Sequence, residues 1–446
     1  MRILLVSFSY TPHASPRAFR WSAIAEHWIP QHEVTVLAGW SPGLPRYEVI
    51  AGVRVFRPGG STVMHRLRSG LATHTLAPAG AVSDQLQSNQ PRSSVRWLTH
   101  LARALYDRTW KQVYWPDYAC LWYRPAVALG KALLSDQAFD VIISSSLPFT
   151  GHLVGKALHQ HRPLLPWIVD IGDPFALAQG NQLNNHALYA GVNMAVERNV
   201  LGGACAIAVT TEATARLYAS AFPIMAHKIA VIPPLIANDA MASAARPFTK
   251  RSDVTKIVFA GTFYRRIRSP EVLLRIFCQL LREPIGARLQ LHLFGALNDC
   301  ADIIDRYRFQ LGSQLVVYGI VTREKAIEAQ ASADVLLNIG NETSFQLPSK
   351  VVEYVGMAKP ILNIAGGADD SSVAFLNKYP AALSVVSPDG RDLDEGQMER
   401  LVAFLKAPPV VDPQLTHEWT SPFRVEAIAA LYEQLFTTAV TGHAQR

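Results

Sequence analysis

Short β-branched apolar runs alternate along the chain with stretches whose apolar residues recur at helical spacing. Arg2–Phe8 predicts a buried strand, Arg17–Ile29 a helix, and Glu33–Leu37 and Val53–Phe56 two further strands. The strand signal returns at Val141–Ser144, Trp167–Ile171, Ala206–Val209 and Ala230–Ile232, with helical patterns between most of them. Strands alternating with helices argue for a mostly parallel sheet covered on both faces. Pro233–Asp253 breaks the rhythm with a proline pair, small residues and a charged end, the composition of an interdomain connection. The alternation then restarts. Strands are expected at Lys256–Ala260, Leu289–Phe294, Leu315–Tyr318, Asp334–Ile339, Pro360–Asn363 and Ala382–Val386, and helices at Pro270–Leu281, Thr322–Ala331, Ser349–Met357 and Asp392–Leu405. A last amphipathic stretch, Arg424–Phe436, is expected to pack back on the first half. The expectation is an α/β protein of two domains, 1–240 and 254–410, with 411–446 returning to the first.

One segment fits this plan poorly. Within an insertion at about 58–134, Arg96–Trp110 mixes Trp97, Leu101, Leu105 and Trp110 with three arginines, and Lys111–Arg124 adds Tyr114, Trp115, Tyr118, Trp122 and Tyr123. Aromatic bodies with cationic tips suit a bilayer interface, and they equally suit an insertion with its own packed core. Charge sharpens the question. The net charge is +7, yet residues 1–247 hold 21 Lys/Arg against 13 Asp/Glu, and Arg54–Lys131 alone holds 11 against 3. Such a segment attracts phosphates or anionic lipid. Nucleic acid is not an expected partner, because no zinc-finger or RNP-like pattern accompanies the basic residues.

The 446 residues are 49% hydrophobic and 17% charged, which excludes wholesale disorder, collagen and coiled coil. No run approaches the roughly 20 apolar residues of a spanning helix, and Met1–Tyr10 is too short for a signal peptide. A cytoplasmic protein is expected, with contact to the inner face of the membrane through the basic segment. The four cysteines are scattered with no CxxC pair, so neither a disulfide framework nor a zinc site is indicated. GxxxxGK[ST], GxGxxG and HExxH are all missing, which disfavours P-loop NTPases, dinucleotide oxidoreductases and zincins.

Two constellations carry chemistry. After the strand Lys256–Ala260 come Gly261-Thr262, then Arg265, Arg266 and Arg268, then Pro270 at a helix start. Free N–H groups of a first helical turn beside guanidiniums suit a pyrophosphate. The alternative is three solvated arginines on a turn. The second constellation is the polar loop after Asp334–Ile339, opening a helix near Pro348-Ser349. Lys350 and Glu353 stand three apart on it and face one side. The carboxylate suits a ribose diol and the lysine a phosphate or sugar oxygen, and a surface ion pair between them is the alternative.

With these residues in view, the chain resembles a bacterial GT-B glycosyltransferase of glycosyltransferase family 4. The likeness runs through RILLVSFSYTPHASPRAFRWSAIAEHW, DVIISSSLPFTGHLVGKAL, PWIVDIGDPF, AVERNVLGGACAIAVTTEA, KIAVIPP, GTFYRRIRSP, VVYGIVTREK, ADVLLNI and LPSKVVEYVGMAKPIL, in order and over nearly the whole chain. It implies two Rossmann-like domains facing a central cleft. A nucleotide-sugar donor is then held by Gly261, Thr262, Arg265, Arg266, Val321, Glu342, Phe345, Leu347, Pro348, Ser349 and Glu353. A lipid-linked or glycan acceptor is expected near Ser15, Arg17, Arg20, Trp115 and Asp117. Arg268 matches the family's second basic residue after the glycine, and Thr262 stands in place of the first. Glu353 matches the second member of the family's Glu-x7-Glu element, and Phe345 stands where the first Glu belongs. The aspartate of a "RDPW" signature is kept at Asp173, after Gly172.

The resemblance further implies a retaining hexosyltransferase of surface-polysaccharide assembly with no metal and no cofactor. In the front-face mechanism proposed for such enzymes, the departing phosphate takes the acceptor proton, leaving the protein to stabilise charge and orient substrates. Arg268 and Lys350 are the candidates for the first task, Asp170 and Asp173 for the second. The alternatives are a catalytically inactive membrane-associated scaffold and a nucleotide-sugar epimerase of the same fold.

Overall fold

Strand residues of alternate parity go to opposite faces, and both faces of the sheets are apolar. In Thr255–Ala260, Ile257 and Phe259 join a core with Leu274, Phe277, Leu291 and Leu337, while Val258 and Ala260 join another with Phe294, Leu336, Val351 and Val355. A sheet buried on both sides must be covered by crossover helices, and this is what the computed structural model shows. It describes residues 1–13, 15–60, 109–178, 182–236, 254–265, 268–340 and 347–444.

Contacts divide the chain into two units, Met1–Pro233 with Val425–Arg446, and Pro234–Arg424. The first carries β1 (Arg2–Val6), β2 (Glu33–Leu37), β3 (Tyr47–Ile50), β4 (Val53–Phe56), β5 (Val141–Ser145), β6 (Trp167–Ile171), β7 (Ala206–Val209) and β8 (Ile229–Val231). Their order is β3-β4-β2-β1-β5-β6-β7-β8, parallel except for β3 against β4. Around them lie α1 (Pro16–Trp28), α2 (Tyr123–Asp136), α3 (Thr150–His161), α4 (His186–Gly203) and α5 (Glu212–Ala221). The second unit carries β9 (Thr255–Ala260), β10 (Leu289–Phe294), β11 (Leu315–Gly319), β12 (Val335–Ile339), β13 (Ile361–Ala365) and β14 (Ala382–Val386) in the parallel order β11-β10-β9-β12-β13-β14. Its helices are α6 (Glu271–Leu280), α7 (Ala301–Leu311), α8 (Arg323–Ala331), α9 (Ser349–Gly356), α10 (Ser371–Leu376), α11 (Glu395–Lys406) and α12 (Pro413–Thr420). Strand order reverses between β1 and β5 in one sheet and between β9 and β12 in the other. Open α/β sheets bind ligands at the carboxyl ends of strands at such points.

The tail behaves differently from a single returning piece of 411–446. Helix α12, capped by Asp412 through the Gln414 N–H at 2.8 Å, stays with the second unit. It packs on α9 and sets Trp419 against Tyr379. Only α13 (Val425–Ala444) belongs to the first unit. It docks on α1, where Trp28 meets Phe436 and Tyr432 at ring-centroid distances of 5.2 and 6.1 Å.

Part of the aromatic segment packs into the first unit. Residues 61–108, with Trp97, lie outside the described residues. Trp122 is buried, its indole donates to Ala38 O at 3.1 Å, and its ring sits 5.3 Å from Phe8. Tyr114 is buried too. The reason is α2, which brings Ala126, Leu133 and Leu134 onto the sheet and carries Trp122 with it.

Trp28→Ala is expected to cost about 3–5 kcal/mol, because a fully buried indole is lost beneath α13. Chemical denaturation checks this, and a cost below about 1 kcal/mol would mean that α13 is not anchored there.

Candidate functional site

In the second unit the residues converge where β9 and β12 diverge. Gly261 follows β9 and is buried. Lys350, in the first turn of α9, donates its ammonium to the carbonyl of Ala260 at the end of β9. A Cβ on Gly261 would stand 3.0 Å from Lys350 Nζ and 2.7 Å from the Phe259 ring, so the lysine reaches the strand end only past a glycine. Pro348, at the cap position of α9, contributes no side-chain hydrogen bond to that turn.

Arg268 sits beside the lysine. Its backbone pairs with Tyr264 in both directions, Arg268 N to Tyr264 O at 2.8 Å and Tyr264 N to Arg268 O at 3.2 Å, closing a tight loop. Burial lowers the Arg268 guanidinium from its ordinary value, opposed by Tyr354, Tyr264 and Asp370. The Lys350 ammonium is lowered to about 8 by burial first, then by Arg268 against the attraction of Glu353, with Arg323 lowering it further. Two cations therefore repel each other at one strand end. The Lys350 ammonium thus donates to the Ala260 carbonyl while Glu353 attracts it.

The other predicted donor residues separate. Arg265 turns away onto the start of α7, donating to Asp299 O and pairing with Asp302. Val321 and Leu347 are half-buried and pack on the cluster of Val258, Ala260 and Val351. Thr262 is half-buried directly after Gly261. Arg266, Glu342 and Phe345 lie outside the described residues, as does the side chain of Ser349. Sequence reasoning missed Asp370, in the loop after β13. Its Oδ1 accepts from Ser372 N at 2.7 Å and from Ser372 Oγ at 2.5 Å, while the buried Oδ2 has no hydrogen-bond partner among the described residues. The only signal for it in the sequence is the GGADD run just beyond the expected strand Pro360–Asn363.

In the first unit the residues meet where β1 and β5 diverge. Ser15 caps α1, accepting from Ala18 N at 3.1 Å. Arg17, two residues on in the first turn, pairs with Asp170 at 2.9 Å. A Cβ on Gly172 would fall 1.6 Å from Arg17 Nη2, so the guanidinium lies across that glycine. Asp173 follows, half-buried. Its loop is held by Glu197 on α4, which accepts from Ala176 N at 2.9 Å and from Tyr218 OH at 2.6 Å. Burial raises the Glu197 carboxyl, and these hydrogen bonds oppose the shift.

Four predicted residues have other occupations. Asp170 is 1% exposed, and its carboxylate accepts from Arg17, Trp21 Nε1, Ser145 Oγ and Tyr432 OH. With four donors already on it, it does not present itself to an acceptor hydroxyl. Arg20 is buried and donates to Pro233 O, Ile232 O and Tyr432 OH. Asp117 is buried at the start of α3, accepting from Thr150 N at 2.8 Å, Thr150 Oγ1 at 2.7 Å and Ala119 N at 2.9 Å, and burial raises its carboxyl. Trp115 donates to Asn193 Oδ1 at 3.0 Å and lines a cavity of about 380 Å³ with Tyr123, Lys156 and Gln160. No group of three or more His, Cys, Asp or Glu with metal-binding geometry occurs among the described residues.

This two-sheet arrangement matches solved structures along its full length. A trehalose-6-phosphate synthase from Burkholderia multivorans superposes with a TM-score of 0.61 at 13% identity, covering 100% of this chain and 99% of that one. The fold is GT-B. The starch synthase IV catalytic domain of Arabidopsis thaliana, bound to ADP and acarbose, matches with a TM-score of 0.57 at 10% identity over 99% of both chains. WaaG, a glycosyltransferase of lipopolysaccharide biosynthesis, matches at 0.54 and 12% identity over 98% of this chain and 99% of its own. No protein-family model and no curated protein sequence matches the chain significantly.

Lys350 sets a pH dependence. Its folded value of about 8 lies below the ordinary 10.5, so between these the unfolded chain binds more protons. Stability of the unliganded protein is expected to rise as pH rises from about 8 to 10.5, and Lys350→Met to flatten that rise. Denaturation midpoints across this window decide it, and parallel curves for both proteins would refute the assignment.

Proposed function

We propose that this chain is a glycosyltransferase that moves a sugar from a nucleotide-sugar donor to a lipid-linked or glycan acceptor, with retention of configuration. The family-4 likeness of the sequence belongs to the same reading. The observation that carries it is the pair of repelling cations, Lys350 and Arg268, at the diverging ends of β9 and β12. An anion there relieves their repulsion, and a diphosphate supplies it. Glu353, one turn along α9 from Lys350, accepts hydrogen bonds from the ribose diol. The presence of ADP in the related starch synthase structure supports a nucleotide in this fold.

In the proposed reaction the bond from the anomeric carbon to the diphosphate oxygen breaks, and a bond to the acceptor oxygen forms on the same face. The hydroxyl proton passes to the departing diphosphate. Charge on that oxygen grows along the reaction, so Arg268 and Lys350 act most strongly in the transition state. Asp173 and Arg17 orient the acceptor. The basic character of Arg54–Lys131 and the lipopolysaccharide role in WaaG's name support an acceptor at an anionic membrane surface. No helix among the described residues is long and apolar enough to cross a membrane.

Screening UDP-, GDP- and dTDP-sugars for thermal stabilisation tests the reading. One nucleotide class is expected to stabilise the protein, and a chain that binds none is better read as an inactive scaffold. Arg268→Ala is expected to lower turnover by about tenfold or more, the loss of a charge-assisted contact. Arg265→Ala, already committed to Asp302, is expected to stay near wild type, and equal losses in both would remove Arg268 from its role. Anionic vesicles are expected to sediment the protein at low salt and release it at high salt. Indifference to anionic lipid at low salt would favour a soluble acceptor.

A further inference from the structure

We propose that Tyr432, on the C-terminal helix α13, is a positioning residue that aims the Arg17 guanidinium through Asp170, so that the acceptor side is complete only when α13 is docked. The inference rests on the reading of Arg17 as an acceptor-side residue. Tyr432 is fully buried and stands 262 positions from Asp170 in the chain. Its hydroxyl accepts from Arg20 Nη2 at 3.2 Å and meets Asp170 Oδ1 at 2.7 Å. A guanidinium can only donate, so the phenol proton points to the carboxylate. The two carboxylate oxygens are thereby divided. Oδ2 takes Arg17 Nη1 at 2.9 Å, Trp21 Nε1 at 3.2 Å and Ser145 Oγ at 3.2 Å, while Oδ1 takes Tyr432.

This division matters because the terminal torsion of an aspartate is broad. Three donors on one oxygen do not by themselves stop the group from pivoting, and the fourth, on the other oxygen, does. Asp170 is in turn the one hydrogen-bond partner of the Arg17 side chain among the described residues. The guanidinium lies across Gly172, and among the described residues its other donors make no hydrogen bond. Its direction therefore depends on a carboxylate whose orientation depends on Tyr432. Arg20 anchors the same hydroxyl from below and ties it to Ile232 and Pro233, where the first unit gives way to the second.

Tyr432→Phe removes the hydroxyl and leaves the ring packed on Trp21 and Trp28. With a stabilising donor in hand, the acceptor KM is expected to rise about tenfold, as for a lost charge-assisted hydrogen bond, with donor affinity unchanged. In an Arg17→Ala background the same substitution is expected to add less than about twofold, since its path to the site is already cut. Multiplicative effects, or an unchanged KM, overturn the proposal. Phenylglyoxal labelling read by mass spectrometry examines the same device without turnover. Arg17 is expected to label severalfold faster in Tyr432→Phe, relative to the exposed Arg308 of the same molecule. Equal labelling overturns the positioning role even if the chain transfers no sugar, and failure of the wild type to bind any nucleotide counts against the glycosyltransferase reading alone.

Discussion

A carboxylate at the end of a buried strand is an expensive thing to keep, and the first unit is arranged around keeping one. Asp170, next to last in β6, has 1% of its surface exposed. An isolated charge in such a place costs several kcal/mol, and the cost is recovered only when donors and a counter-charge surround it. They come from three elements, with Ser145 on β5, Arg17 and Trp21 on α1, and Tyr432 on α13. Each of these elements must be in register for the charge to be tolerated. The network therefore holds the strand-order switch point together, and it also decides where Arg17 points.

The second unit solves an opposite problem. Lys350 and Arg268 stand together with burial working against both, and the structure tolerates their repulsion. Stability is given up at a place where a ligand would restore it, a common trade at functional sites. The surrounding sheet carries this cost because both its faces are densely apolar, with Leu336, Leu337, Val351 and Val352 fully buried around the site.

Within the candidate sites, legibility followed the range of the interaction. Gly261, Arg268, Lys350 and Glu353 were readable because each lies a few residues from a strand end or helix start that local pattern marks. Arg265 looked equivalent to Arg268 in the sequence, three residues away, but an ion pair with Asp302 on another helix draws it off. Asp117 and Arg20 looked like surface chemistry, and tertiary packing turned one into the cap of α3 and the other into a clamp on α13. Asp370 was marked only by the GGADD run beyond a strand, and nothing local marked the role of Tyr432.

The sequence by itself determined the alternation of strands and helices, the break near Pro233, the two-domain α/β class and the places where strand ends meet helix starts. Period-two and helical spacing are local, and each strand buried on both faces announces itself by its run of apolar residues. The return of α13 to the first unit was expected from its amphipathic pattern, but only the tertiary structure decided that α12 stays with the second, because that rests on Trp419 packing against Tyr379. It also decided the state of Asp170. A carboxylate after a strand reads the same in sequence whether it faces solvent or four donors, and those donors come from positions 17, 21, 145 and 432, brought together by the fold alone.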